Sequence, residues 1–472
     1  NVTVTTADQT FIIPEGVVVN GLTILGGNVE VYGELSGDVA RGVGNQDATT
    51  TITFKEGSTN STTSIGDNII VDKFVIEFEP VANCYMIDIN NIPDVLYISL
   101  EQAEKGYQVA DQITGRSSYE DTYIYNLENC NSYAETVWRT WGAGESDCNI
   151  TGELISGGED GNQLGLKVDL TAVKNSITKG HNAVISLVAE GGNGDFGDLL
   201  LWSWHLWFTD YVPSTTGTTA QNGKIHQYGG DVFETGGLYE GMGMMDRNLG
   251  ATITNVTGDI TPTSDYEKYY GLYYQYGRKD PFVGYASSSW TTDQDASKMT
   301  IYDATGAATD ITTQAYNNKY NVSIAIYNPM KYFTGYGLWL YTYASSYDYW
   351  AASNDEKSPF DPSPAGWRIP KADAFADFGT AKNSRSSYGG RTYTKNNAYF
   401  PISGYIDYTG AMYTASSTYT SFMHNALSNT NGWGGYIEYY STNVICNDNC
   451  YNPFTTLGYT VRCVQDYNYS EE

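Results

Sequence analysis

The chain has 472 residues, only 17% of them charged, with 50 glycines and 42 tyrosines. That is room for roughly two to four domains, and the composition suits a β-rich extracellular protein. A formal charge of −29 and a pI near 4.3 exclude nucleic acid and anionic bilayers as natural partners, because both call for clustered Lys and Arg. No apolar run approaches the about 20 residues of a membrane span, so no transmembrane segment is expected, and any export signal is expected to have been removed.

Residues 1–80 read as short strands punctuated by glycine: NVTVTT, FIIPEGVVVNGLTILGGNVEVYGELSGDVARG, TTTITFKEG and NIIVDKFVIEF. Val17, Val19, Leu22, Ile24, Val29, Val31, Leu35 and Val39 form period-2 groups broken at Gly16, Gly21, Gly26, Gly33 and Gly37. Short strands with a turn after each predict a β-solenoid or a compact sandwich, a scaffold without a site of its own.

A β-sandwich is expected over 83–212. In SLEQAEKG, Ser99 and Gln102 have capping-box spacing and Gly106 stands where a single short helix would end. LGLKVDL at 164–170 and NAVISLVAE at 182–190 alternate like strands. LLLWSWHLWF, 199–208, is a strand buried on both faces, with Leu200, Trp202, Trp204, Leu206 and Phe208 on one side and Leu201, Ser203, His205 and Trp207 on the other. His205 is then a hydrogen-bonded core histidine.

TDYVPSTTGTTAQNG, 209–223, has no hydrophobic period and reads as a linker. An α+β domain follows over 225–466, with helices expected in TSDYEKYYGLYYQYG, KADAFADFG and SFMHNAL. The fold class is mainly β with an α+β C-terminal domain. Of the cysteines, Cys84, Cys130 and Cys148 precede this domain and Cys446, Cys450 and Cys463 lie close to its end. The CNDNC loop at 446–450 suits a Cys446–Cys450 disulfide or free thiols better than zinc, since a structural zinc site normally takes four ligands.

ANCYMI, LLLWSWHLWFTDY, MMDRNLGA, GLYYQYGRKDPF, SPFDPSPAGWRIP and LGYTVRCVQD follow one another between residues 82 and 466. This ordered set resembles the surface-anchored, fimbrillin-associated proteins of gut Bacteroidetes, in which a β-sandwich precedes a major paralogous (FISUMP) domain. GWRIPKADAF and YTVRC are in addition similar to the formylglycine-generating and C-type lectin-like superfamily. The resemblance implies a β-solenoid or sandwich, then a β-sandwich, then a C-type-lectin-like domain, without catalysis. It implies an exported protein at the outer-membrane surface or on a pilus, held through an unseen N-terminal segment, whose partners are a glycan or a host or bacterial surface protein, with other pilin subunits as further candidates. Within it, Trp367, Ile369 and Pro370 are expected to start a helix, Asp246–Leu249 to form a buried turn, and 461–464 to form the closing strand. Where such relatives carry a cysteine this chain has Ser363, so Cys463 is expected to pair elsewhere or stay free. Lys371 stands where a helix-capping Thr or Ser would be expected.

Catalytic motifs are wanting. The four histidines, His181, His205, His226 and His424, lie in no G-x-S-x-G context, and neither a P-loop nor HExxH occurs. Paired carboxylates of a glycosidase have no local signature. No cofactor is expected: calcium is conceivable in SNDEKSPFD at 353–361 and at Asp448, but neither has EF-hand spacing and a solvated loop is the preferred reading. Carbohydrate binding is the activity most open to physical argument, set against core and inter-loop packing as the ordinary role of aromatics this numerous. Tyr408, Tyr413, Trp433, Tyr436 and Tyr439 offer flat faces for sugar rings, and Asp448 and Asn449 offer partners for hydroxyls. The expected function is cell-surface adhesion through these C-terminal loops, as a pilus tip or accessory fimbrial subunit; a glycan-binding protein of polysaccharide uptake is the competing expectation.

Overall fold

The computed structural model describes residues 2–4, 9–42, 49–55, 57–72, 76–114, 119–142, 149–158, 162–192, 197–214, 225–226, 233–253, 266–284, 299–315, 321–335, 337, 339, 350, 356–371, 374, 383–385, 390–393, 398–401, 403–413, 420–428, 433–439, 444–447 and 455–469. The fold is mainly β, 44% strand against 11% helix, with several sheets, one of them curled as a half-barrel. The chain divides into two units, Asn1–Glu77 with Ser156–Asn162, and Phe78–Ile155 with Gln163–Glu472.

In the first unit the chain winds between two parallel sheets. Strands β1 (Val2–Val4), β2 (Thr10–Ile13), β3 (Val18–Ile24), β4 (Asn28–Val31), β5 (Glu34–Arg41), β6 (Thr50–Phe54), β7 (Thr59–Ile65) and β8 (Ile69–Asp72) alternate sheet by sheet, giving the orders β1-β3-β5-β7 and β2-β4-β6-β8. Every pairing is parallel. Of the two architectures the sequence allowed, this is the solenoid; hairpins of a sandwich would pair antiparallel. The period-2 residues do what their spacing predicts: Ile13, Val19, Leu22, Ile24, Val29, Val31, Leu35 and Val39 are buried, with Ile52 and Phe54 beneath them. Val17 is the exception, 42% exposed at a corner. Gly33 turns the next corner so close to that rung that a Cβ would lie 2.2 Å from the Val17 carbonyl oxygen. Only glycine fits there.

The second unit is built on one mixed nine-stranded sheet. Its strands are β9 (Cys84–Asp88), β10 (Val95–Ser99), β11 (Ser132–Arg139), β12 (Thr151–Gly157), β13 (Gln163–Asp169), β14 (His181–Ala189) and β15 (Leu199–Thr209), in the order β10-β13-β12-β11-β14-β15-β9, plus the two-residue strands Ile301–Tyr302 and Ala308–Thr309 beside β11. β15 lies between antiparallel β14 and parallel β9. From Leu201 to Thr209 every one of its residues is buried. Its two-sided apolar pattern thus marks a central strand. A register shift opposite Leu187–Val188 leaves Leu201 as an extra residue, so the expected alternation begins only at Trp202.

The helix expected to stop at Gly106 does not stop. α1 (Glu101–Thr114) runs through Gly106, and α2 (Tyr119–Asn129) follows it. Ser99 Oγ does accept the Glu101 N–H at 3.1 Å, but Gln102 turns away to donate to the Pro359 carbonyl at 3.0 Å. A Cβ on Gly106 would come within 2.1 Å of Trp202 Cη2, so this glycine is set by close packing of α1 on β15 rather than by a helix end.

The described parts of 225–466 add sheets rather than helices. Met244–Met245 pairs with Val464–Gln465, which also pairs with Trp367–Arg368, so distant phrases close on one another. Trp367 is therefore in a strand and not at a helix start. Its pairing, and the bias of Ile369 away from helical backbone by Pro370, explain the correction. SFMHNAL is likewise strand: Thr420–Ser428 pairs with Trp433–Tyr439 on one side and Gly458–Val461 on the other, and sheet pairing overrides weak local propensity. The tyrosine-rich helix is short, Tyr266–Tyr270, and hands over to the strand Tyr273–Gln275. Of KADAFADFG only Lys371 and Ala374 lie among the described residues, and most of the expected linker, 215–223, lies outside them. The Asp246–Leu249 turn is buried as expected. One apolar cluster contains Trp138, Trp202, Trp204 and Trp207 together with Trp339, Trp350, Trp367 and Cys463.

Gly106→Ala separates the two explanations of that glycine. Helix propensity alone gives a gain of about 1 kcal/mol in unfolding free energy, whereas contact with Trp202 gives a loss of about 1–3 kcal/mol by overpacking. Denaturant unfolding should show the loss.

Candidate functional site

Of the residues that the sequence singled out, Tyr413, Trp433, Tyr436, Tyr439 and Cys446 lie on strands of one seven-stranded sheet. Tyr408 is 39% exposed, in the loop joining the strands Tyr405–Ile406 and Met412–Tyr413. Asp407 ties that loop through bonds from Thr409 and Ala411. Tyr413, Trp433, Tyr436, Tyr439 and Cys446 lie in strands whose backbone is described while their side chains are not; Asp448, Asn449 and Cys450 lie outside the described residues. Tyr436 and Cys446 belong to adjacent strands, Trp433–Tyr439 and Val444–Asn447.

Cys84, Cys130 and Cys463 are free thiols, the first and last buried, and burial pushes the Cys84 and Cys463 thiols up from their ordinary range. Neither suits nucleophilic work. Ser363 donates to both Asp361 and the Trp367 carbonyl. In the loop considered for calcium, both Asp361 oxygens accept protein hydrogen bonds, from Ser363 N–H at 2.8 Å and Ile369 N–H at 3.1 Å. That carboxylate organises a turn. Among the described residues no three His, Cys, Asp or Glu side chains form a metal cluster.

A serine, a lysine and an aspartate meet where the sequence showed no motif. Lys279 Nζ donates to the Ser203 carbonyl at 3.0 Å and to Asp280 Oδ1 at 2.6 Å, and it also reaches Ser203 Oγ, which donates to Asp280 at 2.6 Å. Burial pulls the Lys279 ammonium down to about 8, opposed by Asp280. Such a pair could activate a hydroxyl, but Ser203 and Lys279 are 1% and 3% exposed. The adjoining void of about 10 Å³ is too small for a substrate. The network instead fastens the 278–280 turn to β15.

The open site lies at the end of the same sheet. A cleft of about 450 Å³ is lined by Thr140 and Gly142 after β11, Lys179, Gly180, His181 and Asn182 at the start of β14, Gly250 and Thr252 on one bend, Lys268 and Leu272 around the short helix, and Met299, Thr300 and Tyr302. β15 holds its base in place. His205 Nε2 and Asn182 Oδ1 are 2.9 Å apart, Asn182 Nδ2 donates to the Gly250 carbonyl at 2.9 Å, and Trp207 Nε1 donates to the Ala251 carbonyl at 3.2 Å. Desolvation drives His205 down to about 3, so it is a neutral structural group. The Lys268 carbonyl accepts the Thr252 N–H at 2.9 Å, which docks the short helix on the bend. The Thr140 hydroxyl accepts the Asn182 N–H and shares a 3.0 Å hydrogen bond with His181 Nδ1. Tyr302 packs its ring over Gly142, where a Cβ would lie 2.6 Å from the ring.

The described lining contains two lysines and a histidine and no carboxylate, in a chain with 54 acidic and 25 basic residues. Thr252 is 8% exposed and its hydroxyl has no hydrogen-bond partner. Sequence reasoning missed this cleft because its segments are far apart in the chain and none has a distinctive spacing. No family model, curated protein or solved structure matches the chain.

Two measurements test this description. Because His205 is held neutral when folded but protonates below about 6.5 when unfolded, stability is lost as pH falls from there toward about 3. Relative to His205→Gln, the unfolding free energy of the native sequence should drop by about 2 kcal/mol between pH 7 and pH 5. Thr252→Val removes an unpaired buried hydroxyl and should be neutral or stabilising by about 1 kcal/mol in thermal unfolding.

Proposed function

We propose that this chain is an exported cell-surface adhesion protein that binds a glycan, with the cleft at the end of the tryptophan-bearing sheet as its receptor site. The observation that carries the reading is the cleft itself, which combines hydroxyls, an amide, an imidazole, ammonium groups and one aromatic ring on a rigid base. Sugar recognition needs this mixture: polar groups for the hydroxyls and a flat apolar face for the ring. The described lining offers no serine or cysteine nucleophile and no carboxylate pair, so its chemistry is recognition.

In this reading 225–466 is a C-type-lectin-like head of the FISUMP kind. The closure of Met244–Met245 on Val464–Gln465 supports that, because it joins the two ends of the region. The first unit then serves as a solenoid stalk.

The full chain on an oligosaccharide array should give saturable binding, weakened at least tenfold in Tyr302→Ala at unchanged melting temperature. Binding to protein partners with no saccharide retained would contradict the reading.

A further inference from the structure

We propose that the solenoid stacks end to end with that of a second copy of this chain, the edge of its last rung, β7 and β8, accepting the first rung, β1 and β2, of the next molecule. This goes beyond the glycan-binding reading and does not depend on it. Register supplies the first argument. Two apolar columns run through the solenoid, one of Val2, Leu22, Val39 and Ile65, the other of Phe11, Val29, Ile52 and Val71. Their inner members, Leu22, Val39, Val29 and Ile52, are at most 1% exposed. The end members are not closed off: Ile65 is 43% exposed, and Val2, Phe11 and Val71 are half-buried. Among the described residues each column is therefore open at both ends.

The backbone supplies the second argument. β7 pairs with β5 alone and β8 with β6 alone, while β1 and β2 pair only with β3 and β4. Both end rungs thus present a row of amides and carbonyls with no strand beside them among the described residues. Natural edges are blunted by charge, proline or short length, but β7 is seven residues of Thr, Asn, Ser and Ile with neither charge nor proline. Its one bulged residue, Thr63, is tied down by Asp38. A stack of repeats ordinarily ends on a polar outer rung, yet this one ends on Ile65 and on Ile70, which is 54% exposed.

The occupant follows from the geometry. Because every pairing in the solenoid is parallel, an incoming edge that extends it must be parallel, span both sheets at the same pitch and bring apolar residues to both columns. The first rung of a second copy meets each condition, with Val2 set on Ile65 and Phe11 on Val71. Two last rungs facing each other about a two-fold axis would run antiparallel and break both columns. The contact is therefore heterologous and does not close on itself. One rung is well below the area of a stable dimer, and the chain carries a formal charge of −29. Association is accordingly weak, and it strengthens as salt screens the repulsion between copies.

The test combines sedimentation with cross-linking, on the full chain. The weight-average sedimentation coefficient should climb with concentration without levelling at a dimer, more steeply in about 0.5 M than in about 0.05 M sodium chloride. Val2→Asp and Ile65→Asp, at opposite ends, should each abolish the climb, while a mixture of the two should recover dimers and nothing larger. Thr10 and Ile70 lie on one outward ladder through Asn28 and Thr51. Under diamide, an equimolar mixture of Thr10→Cys and Ile70→Cys should therefore give at least tenfold more disulfide-linked dimer than either variant alone or the native chain. Cross-linking of either variant alone to the level of the mixture, or a coefficient that stays flat at high salt, would overturn the proposal.

Discussion

The contact on which the second unit depends is Trp202 against Gly106. It packs α1 against β15 with no room for a Cβ, and it is possible only because one partner has no side chain. Around it four indole N–H groups act as fixed pegs, while those of Trp204 and Trp367 have no hydrogen-bond partner. Trp202 donates to Asn83, Trp207 to the Ala251 carbonyl, Trp339 to the Tyr276 carbonyl and Trp350 to the Arg278 carbonyl. Each fully buried indole contributes roughly 2–3 kcal/mol by area. Where its N–H is bonded, that single polar atom also fixes the position of the segment it reaches. That is how a strand with no chemistry of its own sets the wall of a cleft: Trp207 holds residue 251, and Thr252 follows.

The distribution of charge has the same origin. A core this rich in aromatics accommodates planar cations, and Arg278 lies 5.0 Å from the Phe282 ring centre while Arg462 lies 3.8 Å from that of Phe400. Arg278 also donates to the carbonyls of Asn328, Pro329 and Lys331 after the helix Asn321–Tyr327, closing its C-terminal end. Burial lowers this guanidinium to about 10, offset by Asp280. Buried pairs of this sort add little to net stability compared with apolar packing, but removing one partner strands the other. They serve here to fix loops. Their removal from the surface leaves acids to dominate outside.

Much of the scaffold was legible in the sequence. The solenoid showed itself through period-2 valines and isoleucines, because side chains alternate along any strand, and β15 through an apolar run too long for one-sided burial. What stayed hidden was whatever depended on residues distant in the chain. Gly106 read locally as a helix stop, although the reason for it is Trp202. SFMHNAL read as helix because its partners, Trp433–Tyr439 and Gly458–Val461, are strands that a local window does not see. RKD at 278–280 carries no local sign of burial, since charged residues are usually outside unless paired, and its pairing with Ser203 comes from another part of the chain. The cleft was invisible for the same reason. Asn182 opened an unremarkable strand, His181 was one of four histidines without a catalytic context, and Lys268 belonged to a tyrosine-rich helix.

Native-state hydrogen exchange across 181–189 and 199–209 tests directly whether this strand pair is the rigid base on which the rest is mounted. The amides there should exchange only through global unfolding, with the slowest rates in the second unit and the same denaturant dependence as unfolding itself. Exchange through local opening, at free energies like those of the short helix Tyr266–Tyr270, would show that the aromatic strand is not what holds the cleft in place.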